Sequence, residues 1–535
     1  MDTEEMRETL RTGVKKVKEP FIIALLRMVF SRLMIVAVLV AIQCYLIYMA
    51  INWVDDYTKY FAPACTVLAG VVIVVIINSK SNEAYKLSWS IIVAVLPIAG
   101  LAIYLLTHLN PLDKQPFKKI NAKVAETEEY TMTPLPVRDR INESSREFRK
   151  MANYLEFTGG FPCFDNTEIK YYPIGDDVFD DMCAALEKAE EFIFIEYFII
   201  APGRFWDTIL EILERKANEG VEVRVMYDDM GCLRTVSRRY YKKLRRKGIM
   251  SHVFAPIMPF ISTYYNNRDH RKIMVIDGKT AFSGGMNLAD EYINEYKRFG
   301  TWKDNAFRLK GDAVRNYTLM FLQMWNASKD VDRDEGYKEY LNVDSLRKPD
   351  LENDGFVIPY ADGPNRQDGV AENVYLDIIN SATNHIDVMT PYLIPDNNIL
   401  HALKHAAKTG VEVSIIMPHI PDKKIINLVS KSYYRELLRA GVHIYEYMPG
   451  FVHTKMVAAD AVICATGTVN LDYRSLYLHY ECGCLMYRNS AIIDAEEDFG
   501  KTLEQCIEIT EQKVNSWTIF FTIFTSILRV FAPLF

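Results

Sequence analysis

Residues 270–287 read HRKIMVIDGKTAFSGGMN, and residues 453–470 read HTKMVAADAVICATGTVN. Five residues recur at identical spacing. They are His270, Lys272, Asp277, Gly284 and Asn287 in the first copy and His453, Lys455, Asp460, Gly467 and Asn470 in the second. A pattern of this length, kept at every position, marks a duplicated unit. Residues 273–276 and 456–459 are apolar and read as buried strands. Side chains alternate along a strand, so each histidine shares a face with the lysine two residues on. Asp277-Gly278 is a tight-turn signal, and Gly284-Gly285 lets the backbone turn closely before Asn287. Each copy offers one imidazole, one ammonium and one amide to a common surface. Two copies face to face offer two of each.

That set suits a phosphodiester. One neutral imidazole can attack phosphorus and form a covalent phosphohistidine. The other can protonate the leaving oxygen and later deprotonate the incoming alcohol. Lys272, Lys455, Asn287 and Asn470 can hold the non-bridging oxygens as charge develops. His270, Lys272, Asp277, His453, Lys455 and Asp460 form the candidate catalytic set. Within it, Asp277 and Asp460 are expected to brace the fold rather than touch substrate. The chemistry requires no metal or other cofactor. The chain has no HExxH, and Cys482-Gly483-Cys484 has no partner pair at metal spacing; the nine cysteines form no disulfide framework.

The duplication extends upstream. Gly220-Val221-Glu222-Val223 and Gly410-Val411-Glu412-Val413 each precede a motif. Each follows a helical pattern, residues 206–218 and 398–408, and each helix follows a strand, residues 192–200 and 385–393. Strands alternating with helices predict an α/β sheet with helices on both faces. Two such units sharing one site give a pseudo-twofold domain, joined through the polar residues 347–355.

Residues 33–53, 60–79 and 87–111 carry no Asp, Glu, Lys or Arg. Each is near the roughly 20 residues that cross a bilayer, so three transmembrane helices are expected. The first twenty residues are polar and charged, unlike a cleavable leader. The Lys and Arg residues before Leu33 keep the N-terminus inside, and three crossings then place His270 on the outer face of the cell membrane. Residues 516–535 carry one charge, Arg529, and five phenylalanines. They predict an amphipathic helix lying on the membrane. The net charge of −7 gives no global basic footprint for nucleic acid. Basic runs at residues 15–18 and 242–247 could meet anionic headgroups.

The doubled motif resembles the phospholipase D superfamily, whose signature it is. Within it, the strings at residues 86–108, 267–272 (NRDHRK), 450–455 (GFVHTK), 467–475 (GTVNLDYRS) and 526–535 (SILRVFAPLF) are similar to those of bacterial cardiolipin synthases. Asp269 and His479 stand where Asn is more usual, and an additional hydrophobic segment precedes the usual pair. The resemblance implies a carboxylate downstream of each motif that bonds the far nitrogen of each histidine, Asp304 and Glu481. It implies His270 as nucleophile and His453 as acid. It also implies phosphatidyl transfer between two phosphatidylglycerols with release of glycerol. Water must be excluded at the second step, and the aromatic residues 254–265 are candidates for that screen. Phosphatidylserine synthesis and hydrolysis would use the same residues with another acceptor. A scaffold that only binds anionic lipid is the non-enzyme alternative.

The expected organisation is a basic segment (residues 1–32), a transmembrane region (33–111), a linker (112–155), two phospholipase D-like α/β/α repeats (156–346 and 347–515) and a C-terminal membrane helix (516–535).

Overall fold

The computed structural model describes residues 41, 45, 48, 56–108, 114–256, 266–328, 336–341, 354–366 and 368–534. The chain divides into two compact units, residues 1–110 with 258–263, and residues 111–257 with 264–535.

The first unit contains helices α1 (Asp56–Ile77), α2 (Glu83–Val95) and α3 (Pro97–His108). Among the described residues, no helix is long and apolar enough to cross a membrane. The first expected crossing, residues 33–53, lies outside the described residues save for three positions. The second falls in α1, which exposes Val67, Val71, Val74 and Val75. The third is broken in two. Pro97 has no N–H to continue the ladder of α2, and α3 folds back along α2. The rings of Trp89 and Tyr104 meet edge to face at 5.4 Å, whereas a straight helix would hold these residues ~22 Å apart. Gly100 seats against the turn of α2, where a Cβ would lie 2.6 Å from the Ile92 carbonyl oxygen. The arms of this hairpin have 13 and 12 residues. That is ~18–20 Å of helix, short of the ~30 Å hydrocarbon core.

The second unit holds both repeats. The first repeat contributes β1 (Thr167–Tyr172), β2 (Phe192–Tyr197), β3 (Glu222–Asp228), β4 (Met250–Phe254), β5 (Lys272–Ile276), β6 (Thr280–Gly284), β7 (Thr301–Lys303) and β8 (Ala306–Gly311). The second contributes β9 (Phe356–Asp362), β10 (His385–Met389), β11 (Glu412–Pro418), β12 (His443–Tyr447), β13 (Gly450–Val452), β14 (Met456–Ala459), β15 (Ile463–Gly467), β16 (Glu481–Tyr487) and β17 (Cys506–Glu508). The sheet orders are β1-β8-β6-β5-β2-β3-β4 and β9-β16-β15-β14-β10-β11-β12, with β17 added beyond β12. Exchanging each strand for its counterpart converts one order into the other. In both sheets three strands before the motif (β2-β3-β4 and β10-β11-β12) pair in parallel and the motif strands pair antiparallel.

Burial explains the composition. β2 is buried along its whole length, as expected for a strand covered on both faces. On one face, helix Arg204–Asn218 packs Phe205, Trp206, Ile209, Leu210 and Leu213 inward. On the other, Phe321 of helix Val314–Ala327 stacks on Phe194 at 4.6 Å.

The motif hairpins turn at Asp277-Gly278 and Asp460-Ala461, all four with positive φ, the geometry that suits a two-residue hairpin loop. Asp277 accepts N–H bonds from Glu190, Glu191 and Phe192 at 2.8–2.9 Å. Asp460 accepts from the N–H groups of Thr383, Asn384 and His385 at 2.7–2.9 Å. Burial pushes the Asp460 carboxyl up, but these bonds outweigh it and hold it below the usual range. Each aspartate ties its hairpin turn to the start of the neighbouring strand and makes its bonds there.

The apolar C-terminus forms helix Ile519–Val530. It rests on helix Lys424–Leu438, with Arg529 3.1 Å from Glu436 and 4.0 Å from the Tyr433 ring centre. Its other face is open. All cysteines among the described residues are free.

Candidate active site

His270 and His453 precede β5 and β14, and the residues beside them pair across the two repeats. β13 runs parallel to β7, with Gly450 opposite Thr301, Phe451 opposite Trp302 and Val452 opposite Lys303. Asp269 and Tyr480 form the matching bridge. The His270 N–H donates to the Tyr480 carbonyl at 2.9 Å, and the His453 N–H to the Lys303 carbonyl at 2.7 Å. The residue after each acceptor is a carboxylate. Glu481 therefore meets His270 Nδ1 at 2.9 and 3.0 Å, and Asp304 Oδ2 meets His453 Nδ1 at 2.6 Å. Each histidine is held by the carboxylate of the other repeat. Both carboxylates are fully buried. A carboxylate at Nδ1 fixes the proton there and leaves the Nε2 lone pair for substrate.

Small residues make room for this. A Cβ on Gly285 would lie 1.9 Å from Asp304 Oδ1. Its counterpart, Thr468, instead donates its hydroxyl to Glu481.

The lysines share the same pocket. Lys272 Nζ donates to the His270 carbonyl at 2.6 Å. Lys455 Nζ donates to the His453 carbonyl and lies 2.7 Å from His453 Nδ1. Burial lowers Lys272 to about 8 and Lys455 to about 7. Burial, reinforced by the two lysines, holds both imidazoles well below their usual range, so both are neutral in the empty site. Burial raises Asp304 to about 6 against the pull of Lys455 and Lys272.

The asparagines differ from one another. The Asn287 carbonyl accepts from the Ile199 N–H at 3.0 Å, and its amide donates to Tyr292 Oη at 2.7 Å. These bonds use the Asn287 carbonyl and one of its two amide hydrogens. Asn470 donates to Ser475 Oγ at 3.1 Å, and its buried Oδ1 has no hydrogen-bond partner.

Several neighbours lie outside the motifs. Phe198 packs edge-on against His270 at 5.0 Å. Tyr292, Trp302 and Phe451 surround His453 at 5.2–5.8 Å. The charge of Lys423 lowers both imidazoles, and its Nζ donates to Tyr392 Oη at 3.0 Å. Sequence offers no periodic signal for Phe198 or Lys423, each a single residue on a loop. Most of residues 254–265, the expected water screen, fall outside the described residues. His479 lies 5.6 Å from His270 ring to ring, and its Nδ1 is 3.8 Å from Glu481. His270, His479 and Glu481 could together ligate a metal ion, as could His385, Asp387 and Glu496 away from the site.

Residues 182–325 and 375–503 match the family model described as "Cardiolipin synthase, PLD-like domain", and residues 67–107 match "Phospholipase_D-nuclease N-terminal". This chain belongs to the cardiolipin synthase family of the phospholipase D superfamily. An uncharacterized protein of Streptococcus mutans is 44% identical over 459 residues, covering 86% of this chain and 98% of that one. A cardiolipin synthase of Halalkalibacterium halodurans is 32% identical over 493 residues, covering 90% and 95%. The fold is similar to the crystal structure of phosphatidylserine synthase from Haemophilus influenzae, with a TM-score of 0.51, 15% identity, and coverage of 68% of this chain and 93% of that chain. The cardiolipin synthase family is a family of membrane-associated phosphatidyltransferases, and the matched N-terminal region is typical of it.

The low lysine values have a consequence for pH. A lysine is charged below its pKa, so the cationic cradle is complete on the acid side. It is lost as pH rises through about 7 for Lys455 and about 8 for Lys272. The expected kcat/KM for lipid falls across this window, since kcat/KM reports the free enzyme. Lys455→Arg, whose guanidinium stays charged, should move the falling limb to higher pH even where it lowers the maximum. A limb unmoved in Lys455→Arg would assign the titration to another group.

Proposed function

We propose that this protein is a cardiolipin synthase that moves a phosphatidyl group from one phosphatidylglycerol to another and releases glycerol. The observation that carries this reading is the pair of neutral imidazoles, each oriented by a buried carboxylate of the other repeat, beside two buried lysines. The names of the curated relatives support the substrate class.

In this reading His270 attacks phosphorus through Nε2, and glycerol leaves with a proton from His453. The arriving anion offsets the charge of Lys272 and Lys455, which raises the His453 pKa and lets it carry that proton. His453 then takes a proton from the primary hydroxyl of the second phosphatidylglycerol, which attacks the phosphohistidine. The wall of Phe198, Tyr292, Trp302 and Phe451 keeps water from that intermediate.

Purified protein given phosphatidylglycerol alone, with chelator present, should form cardiolipin and glycerol in equal amounts. Phosphatidic acid as product would establish a hydrolase. No turnover would leave a lipid-binding scaffold. Loss of activity on chelation, restored by one metal alone, would refute the metal-free mechanism.

The division of labour between the histidines is open to a direct test. Glycerol needs a proton to leave, whereas p-nitrophenolate does not. With a phosphatidyl p-nitrophenyl ester, His453→Ala should release one equivalent of nitrophenol and stall. His270→Ala should release none. Swapped behaviour would reverse the roles.

The helical hairpin bears on membrane sidedness. We infer that residues 87–108 enter and leave by one face; with the crossings expected from sequence at residues 33–53 and 60–79 kept, two remain and the parity reverses. The catalytic unit then shares the side of the Lys- and Arg-rich N-terminus. A single cysteine at Asp113, on a cysteine-free background, should resist an impermeant thiol reagent until cells are lysed. Labelling in intact cells would restore the third crossing.

A further inference from the structure

The C-terminal helix Ile519–Val530 borders a cavity of about 390 Å³ that the chemistry does not use. Five cations line it: Lys404, Lys408, Lys431, Arg435 and Arg439. The acid among the lining residues, Glu436, is already shared by Lys404 at 2.5 Å and Arg529 at 3.1 Å. Lys431 has a carboxylate, Glu446, at 3.4 Å. Arg435 donates to the Val514 carbonyl at 3.2 Å, while its buried Nε has no acceptor. Lys408 and Arg439 are exposed. The cavity thus holds a surplus of positive charge with donors to spare.

Beside it, the helix presents Ile519, Phe520, Ile523, Phe524 and Ile527 to solvent, each at least half exposed. Positions 519, 523 and 527 repeat every four residues, so they form one stripe. The opposite face is the one that packs, through Thr525 and through Arg529 on Tyr433. An apolar stripe beside a basic cavity is complementary to one surface in particular, the interface of an anionic bilayer. There, acyl chains meet the stripe and phosphates meet the cations.

We propose that this face docks the catalytic unit on the bilayer and that the basic cavity binds the phosphate of an anionic phospholipid as a second, non-catalytic lipid site. The choice of a bilayer over a protein partner rests on the lipid-substrate reading, but the test below is read without turnover. Full-length protein carrying an environment-sensitive fluorescent amino acid at Ile523 is reconstituted into phosphatidylcholine vesicles with graded phosphatidic acid, a phosphomonoester with no alcohol to displace. Emission should shift to the blue as phosphatidic acid rises. At about 1 kcal/mol per basic contact, Lys408→Glu with Arg439→Glu should need at least about tenfold more phosphatidic acid for half the shift. The milder pair Lys408→Gln with Arg439→Gln should fall between. Both variants should keep the wild-type circular dichroism spectrum and thermal transition, which shows that they fold. Water-like emission at every composition would overturn the docking surface. An unchanged lipid dependence in the folded variants would overturn the phosphate site. A protein that docks as described yet forms no cardiolipin would instead count against the proposed reaction alone.

Discussion

Two main-chain hydrogen bonds carry the catalytic architecture, one from the His270 N–H to the Tyr480 carbonyl and one from the His453 N–H to the Lys303 carbonyl. They are short, buried and placed one residue from Glu481 and Asp304. Backbone pairing therefore positions the side-chain contact that follows it. A side chain alone has rotamers to choose among. A strand register does not, because a one-residue slip would send Asp304 to the other face. The precision of the site is a property of the seam between the repeats more than of either motif.

That seam collects six buried ionisable groups, two imidazoles, two ammoniums and two carboxylates. Burying charge is costly, and a buried ion pair recovers the cost only with good geometry. Here the carboxylates spend their hydrogen bonds on the histidines, and the lysines spend theirs on the histidine carbonyls. The result is a pocket of two lysines and two carboxylates whose imidazoles are neutral, with the lysines held well below their usual pKa by burial. A phosphodiester brings a further negative charge, which favours the charged form of both lysines. That arrangement favours an anion whose non-bridging oxygens gain charge as it reacts.

The motif spacing was enough to read the hairpins, since His270, Lys272 and the Asp277 turn are local. The strand-helix-strand order was readable because β2 and its helix carry unmistakable periodicity. The crossed assignment of Glu481 to His270 was not, because distance along the chain says nothing about which repeat a carboxylate faces. The partners of Asn287 were not legible for a related reason. Its carbonyl takes the Ile199 N–H and one amide hydrogen goes to Tyr292, a loop contact no pattern announces. Residues 87–111 look like one apolar run because hydropathy is blind to direction. Pro97 and Gly100 let that run double back.

The crossed carboxylates make each repeat depend on the other. Neither repeat holds its own histidine; each ring is held by the carboxylate that the other supplies. Within one chain the two copies are free to differ. One now reaches across with the shorter aspartate against a glycine, the other with the longer glutamate braced by a threonine. The two histidines thus sit in unequal surroundings, which suits a reaction with distinct attack and protonation roles.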